Sequence, residues 1–215
     1  MDKQAQIRRR QMDRALRWSL LLFFGFLVVT QQVLTNGPLV SYDKEINSQP
    51  KPQFEGFAGF FLRRLDDLGL RSLTATVLLL AAGFIAYKFK TWRPLNLALI
   101  SLLSLNLVVG TFKIVLGRTK PRDGFDLLHA GGMSYPSGHA SNAVLSWGIL
   151  AYLIYRYAKV DRYQGRLASA GVVLISLTVC VVSLIRHTHW FSDLLGGLFV
   201  GSALLVAVIA IDRYV

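Results

Sequence analysis

Long apolar blocks separated by short basic segments constrain this 215-residue chain more than any other feature. Crossing the hydrocarbon core of a bilayer takes about 20 apolar residues, with about 17–25 the usual range. Six segments qualify: Trp18–Thr35, Leu70–Tyr87, Leu95–Phe112, Ala140–Tyr157, Leu167–Ile185 and Leu194–Ile211. Their apolar residues come in blocks, not at the 3.6- or 2-residue periods of half-buried soluble elements. Only 17% of the chain is charged, where a soluble domain carries about a quarter. The expectation is an all-α polytopic membrane protein: one domain over residues 1–215, with six transmembrane helices in a bundle. Arg71 and Arg156 fall at span ends and are expected to snorkel.

The net charge of +12 raises the question of nucleic acid. The basic residues lie between apolar blocks rather than on one amphipathic face, so they are expected to serve topology and anionic head groups, with no nucleic-acid partner. Arg8, Arg9, Arg10, Arg14 and Arg17 precede the first span like the start of a signal peptide. The long apolar stretch and the absence of a small-x-small site around Thr35-Asn36-Gly37-Pro38 indicate a retained span. With that N-terminal segment (residues 1–17) in the cytoplasm, a modest majority of the 24 Lys and Arg fall on inner segments, Lys159 among them. Both termini are then cytoplasmic in a plasma or inner membrane. Residues 52–70 place Phe54, Phe57 and Phe61 at helical spacing ahead of Arg63 and Arg64, as in a helix lying in the outer interface between spans one and two. Cys180, the single cysteine, sits inside a span, which excludes an internal disulfide. Oligomeric state leaves no trace in the pattern.

Three polar clusters stand outside the spans, all on the outer side: Lys113 to Arg122, Tyr135 to His139, and Arg186 to Asp193. Taken singly they read as a basic collar, a helix-capping turn and an interfacial loop. Their chemistry is complementary, however. Lys113, Arg118, Lys120 and Arg122 supply cations for a phosphate. Ser137 and the Gly138 N–H precede a helix N-terminus, which favours an anion. His189 and Asp193 are four apart, so the carboxylate can orient the imidazole, and His139 can act as an acid. A metal held by His187, His189, Asp193 and His139 is the competing reading, opposed by the surrounding cations. His129 reads as a solvated loop residue, Asn106 and Asn142 as interhelical hydrogen-bonding residues, and Trp190 as an interfacial belt residue.

The clusters resemble the signature of the type 2 phosphatidic acid phosphatase superfamily: Lys-x6-Arg-Pro, Pro-Ser-Gly-His, and Ser-Arg-x5-His-x3-Asp. Pro136-Ser137-Gly138-His139 and His189-x3-Asp193 match; Lys113-x6-Lys120-Pro121 matches with lysine for arginine. The resemblance implies a phosphatase acting on a lipid phosphomonoester or diphosphate at the extracytoplasmic face, without a metal or other cofactor. In that reading His189 forms a phosphohistidine, Asp193 orients it, and His139 protonates the leaving oxygen. Lys113, Lys120, Ser137 and Gly138 hold phosphate oxygens. Ser183 stands where the family has arginine, so Arg186, aided by Arg118, is expected to reach back and take its place. A lipid-to-lipid phosphotransferase and a silent lipid-binding or transport relative are the alternatives. The lipid itself is not written in the sequence.

Overall fold

In the computed structural model, residues 3–158 and 160–214 are described; residues 1, 2, 159 and 215, and so the Lys159 counted above, lie outside them. The described chain is helical without a strand: α1 (Lys3–Leu34), α2 (Pro38–Ser48), α3 (Gly56–Asp66), α4 (Arg71–Phe89), α5 (Arg93–Leu116), α6 (Gly138–Tyr157), α7 (Arg162–Ile185) and α8 (Phe191–Tyr214). The basic N-terminal segment continues the first apolar block as one helix. Helix α2, which hydropathy does not reveal, starts at Pro38 directly after Gly37, a position where a missing N–H costs nothing. The segment expected at the interface contains α3, whose Phe57 is 83% exposed. Gly117, at φ 53°, ends α5 and turns the chain into the 117–137 loop.

Five segments are long and apolar enough to cross a membrane: Gln6–Leu34, Arg71–Phe89, Arg93–Asp123, Arg162–Ile185 and Phe191–Arg213. Leu20, Phe24, Leu103, Leu107, Ile114 and Leu174 on these helices are exposed, an apolar surface larger than water tolerates on a monomer. The expected fourth span coincides with α6 but is not among the five, because Ser141, Asn142, Ser146 and Arg156 lower its hydropathy. These residues are tolerated because α6 runs through the middle of the bundle, against α4, α5, α7 and α8. Leu145, Ile149 and Leu153 of α6 join Phe26, Leu78, Leu105 and Val200 in the main apolar core.

Close packing of α8 on α6 places the functional loops. A Cβ at Gly197 would lie 2.6 Å from the Ser137 carbonyl oxygen, and one at Gly201 2.9 Å from that of Ser141. Only glycine lets the two helices approach so closely. Gly197→Val should therefore destabilise the fold by about 1–3 kcal/mol through overpacking, read as a lower Tm of the detergent-solubilised protein. At the far end of the bundle, Arg156 is tied into an ion-pair network. It bonds Asp212, which also accepts from Arg93 Nε at 2.8 Å and from the Tyr152 hydroxyl at 2.6 Å. Arg71 reaches across to Asn106 Oδ1 at 2.8 Å, joining α4 to α5.

Candidate active site

Helices α6 and α8 both begin at one end of the bundle, and α5 ends there. Ser137 N-caps α6, its Oγ accepting from Ala140 N at 3.3 Å, and its own N–H donates to the Asp193 carbonyl at 2.9 Å. This tie holds the start of α6 against the start of α8. The Gly138 and His139 amides are then first-turn N–H groups with no carbonyl partner inside the helix, where an anion is favoured. Ser137 is fully buried, so its first task is to build this turn, and only its hydroxyl proton remains for a ligand.

His189 lies in the α7–α8 loop, 7% exposed, its Nδ1 3.4 Å from Asp193 Oδ2. That separation is long for a hydrogen bond, as catalytic pairs often are without substrate. Asp193, fully buried, is held more tightly by its other partners. It accepts from Trp190 N at 3.0 Å and Arg118 Nη1 at 2.8 Å, and Ser134 Oγ donates to it as well. With Nδ1 facing a carboxylate, the nucleophilic lone pair of a neutral His189 falls on Nε2. The His139 ring stands opposite, 6.3 Å away between centroids. Two imidazoles at that spacing can flank one phosphorus, with attack on one side and departure on the other.

Lys113 turns off the end of α5 and donates to the carbonyls of Met133 and Ser134. Its Cε would lie 3.8 Å from a Cβ at Gly138, so its ammonium borders the α6 N-terminus. Lys120 is half-buried in the short turn after it, its N–H bonded to Asp123 Oδ2 at 2.9 Å. These two lysines, the α6 amides and the two histidines are drawn to one place. The arrangement can hold a tetrahedral oxyanion and exchange protons beside it.

Arg118 does something else. It is 0% exposed and gives Nε to Asp126 Oδ1 (2.7 Å), Nη1 to Ser192 Oγ (2.7 Å) and Asp193 Oδ1 (2.8 Å), and Nη2 to Asp43 Oδ2 and Asp126 Oδ2 (2.7 Å each). A guanidinium has five N–H donors, and all five are taken. The expectation that Arg118 contacts phosphate is thus corrected: it sits behind the site and braces Asp193. Asp43, from α2, also accepts from Ser192 N at 2.8 Å. Burial pushes the Asp43 carboxyl above its ordinary range, against the pull of Arg118.

Arg186 caps the end of α7 and pairs with Asp66 of α3, whose other oxygen accepts from Ser183 Oγ at 3.0 Å. The arginine and the serine at the family's arginine position thus share one carboxylate. His187, at φ 52°, turns its Nδ1 to Asn47 Oδ1 (2.7 Å) and Lys51 Nζ (3.2 Å). Partial burial and then the Lys51 charge lower its pKa below that of an ordinary histidine. Its direction takes it out of the metal set considered above, and among the described residues no three His, Cys, Asp or Glu are grouped to hold a metal. His129 is exposed. Trp190, expected at an interface, is instead 4% exposed and donates Nε1 to the Thr119 carbonyl at 2.9 Å, stacking beneath Arg118.

Ser134, Asp43, Asp66 and Asp126 were not legible as site residues. One signal existed: a chain with only 12 Asp and Glu that buries an arginine must spend some of them on it.

Three likenesses bear on this geometry. The sequence pattern of the PAP2 superfamily matches residues 94–215. Phosphatidylglycerophosphatase B of Bacillus subtilis (strain 168) is 25% identical over 200 residues, covering 89% of this chain and 93% of that one. A crystal structure of a transmembrane PAP2 type phosphatidylglycerolphosphate phosphatase from Bacillus subtilis superposes with a TM-score of 0.79 at 23% identity, covering 90% of this chain and 95% of that one. At that identity the superposition speaks for the fold.

Proposed function

This chain belongs to the PAP2 superfamily, and on that premise we propose that it is a membrane phosphatase hydrolysing a lipid phosphomonoester or diphosphate through a phosphohistidine. The observation that carries this reading is the pair of facing imidazoles, 6.3 Å apart, with Asp193 behind His189 and the α6 N-terminus beside them. His189 Nε2 attacks phosphorus as the bond to the lipid oxygen breaks, and imidazolium His139 gives its proton to that oxygen. Neutral His139 then takes a proton from water attacking the phosphohistidine, which releases phosphate and restores both rings. Asp193 holds the Nδ1 proton of His189. Lys113, Lys120, the Gly138 amide and the Ser137 hydroxyl stabilise the transferring oxygens.

Phosphatidylglycerophosphate is the first substrate to try, since the Bacillus subtilis relative is named for it; phosphatidate and polyisoprenyl diphosphate offer the same reacting group. We read the whole chain as one membrane domain with six spans. Helix α6, fourth in chain order, joins the other five, its polar residues turned to protein rather than lipid, and α3 lies at the interface with its phenylalanines toward the bilayer. Both termini face the cytoplasm and the histidines the opposite side, in accord with the basic N-terminus. The test is phosphate release from a panel of these lipids in detergent, with and without chelator. Chelator-insensitive release from at least one supports the reading; release that disappears with chelator contradicts it.

Arg186 serves in this reading as the replacement for the absent arginine, one guanidinium edge on Asp66 and the other toward phosphate. Arg186→Ala should lower kcat/KM by about 10²-fold. Unchanged kinetics would leave that position without a substitute.

A further inference from the structure

Far from the histidines, α7 leans on α6 and parts from α8, leaving a cavity of about 920 Å³ lined by Val144, Gly148, Val172, Leu205 and Ile209 among others. Its walls are apolar, yet Arg162, Arg166 and Arg213 line it too. Among the described residues none of the three has a carboxylate partner within salt-bridge range. The nearby acids are already engaged. Asp161 caps α7 through Gln164 N at 2.8 Å, and Asp212 serves Arg93 and Arg156. A second cavity of about 310 Å³, on the other flank of α8, shares Arg213 and adds Arg8. Among the described residues, Arg162, Arg166 and Arg213 therefore have no paired counter-charge.

We propose that this cleft is a binding site for an anionic membrane phospholipid, with an acyl chain between α7 and α8 and its head-group phosphate among Arg162, Arg166 and Arg213. An apolar slot ending in unbalanced arginines matches an amphiphile with a negative head; basic pockets between transmembrane helices bind such head groups. The lipid is not the one turned over. Arg162 opens α7 while His189 lies past its end, and 24 residues of helix separate them by about 36 Å. The site is thus a second lipid site, one that fills the gap between α7 and α8.

Native mass spectrometry of the full chain in detergent tests this, with phosphatidylglycerol and phosphatidylcholine of identical chains, and inorganic phosphate, as probes. Wild type should retain phosphatidylglycerol at least about tenfold better than phosphatidylcholine. The R162Q/R166Q/R213Q protein should lose that preference. Ser169 also lines the cleft, and Ser169→Phe, which fills it without touching charge, should reduce retention of both lipids. Equal retention of the two lipids by wild type overturns the inference, as does a preference that survives the triple substitution. Phosphate retained as well as phosphatidylglycerol would remove the acyl slot from it. The measurement reads binding rather than turnover, so its outcome is separate from that of the phosphatase reading.

Discussion

His189→Asn should abolish phosphate release, lowering kcat by 10⁴-fold or more, on the order of what removing the nucleophile of a coupled catalytic set costs. No neighbour can take its place. In the proposed mechanism His139 stands on the leaving-group side, and Ser134, 3.5 Å from His189 Nδ1, already donates to Asp193. The loss should be purely catalytic. Among the described residues His189 makes only two long contacts, to Asp193 at 3.4 Å and to Ser134 at 3.5 Å, and Asp193 keeps Arg118, Ser134 and the Trp190 amide without it. Stability should therefore change by no more than about 1 kcal/mol. Phosphate assays beside thermal melts of the same preparations check both halves. Substrate affinity should survive, because Lys113, Lys120 and the α6 amides are untouched.

Arg118→Leu should have the opposite signature, with stability failing together with activity. The guanidinium is the shared cation of Asp43, Asp126 and Asp193. Removing one partner of a buried pair costs about 3–5 kcal/mol, since the remaining charge is left unsolvated, and here three carboxylates lose it. Arg118→Lys should recover little, because one ammonium cannot reach acceptors arrayed around a planar fork. The deficit has a sign in pH. Without the arginine, nothing opposes the burial that already holds the Asp43 carboxyl above its unfolded value. Such a group destabilises the fold once pH rises through the folded pKa. The variant should accordingly lie furthest below wild type at about pH 8 and close part of the gap toward about pH 5. Melts across that range decide it. A variant as stable as wild type at every pH would mean that the cluster carries no structural weight.

Much of the site was legible because the bilayer simplifies the text. Where long apolar blocks are the rule, Pro136-Ser137-Gly138-His139 and His189 with Asp193 stand out by composition, and the three clusters shared one side in the hydropathy reading. The misreadings have a common cause. Arg118 lies between Lys113 and Lys120 in sequence, and nothing local says which cations face a ligand and which face carboxylates from elsewhere. Its partner Asp43 is 75 residues away and the Arg186 partner Asp66 is 120 away; such pairing leaves no periodicity to read. Trp190 was misassigned for the same reason, because its burial comes from the 117–126 loop folding over it. Helix α6 shows the limit of hydropathy: a central helix packed on four others can carry serines and an asparagine that a lipid-facing helix could not.

In the proposed reaction the phosphoryl group passes through His189. Rapid quenching of the wild type with a lipid substrate labelled in its terminal phosphate, followed by peptide mapping, tests it directly. A label that is acid-labile and alkali-stable, carried by the peptide containing His189 and absent from the His189→Asn protein, is the expected result. Steady turnover with no covalent label at any quench time, or a label on a different residue, would contradict it.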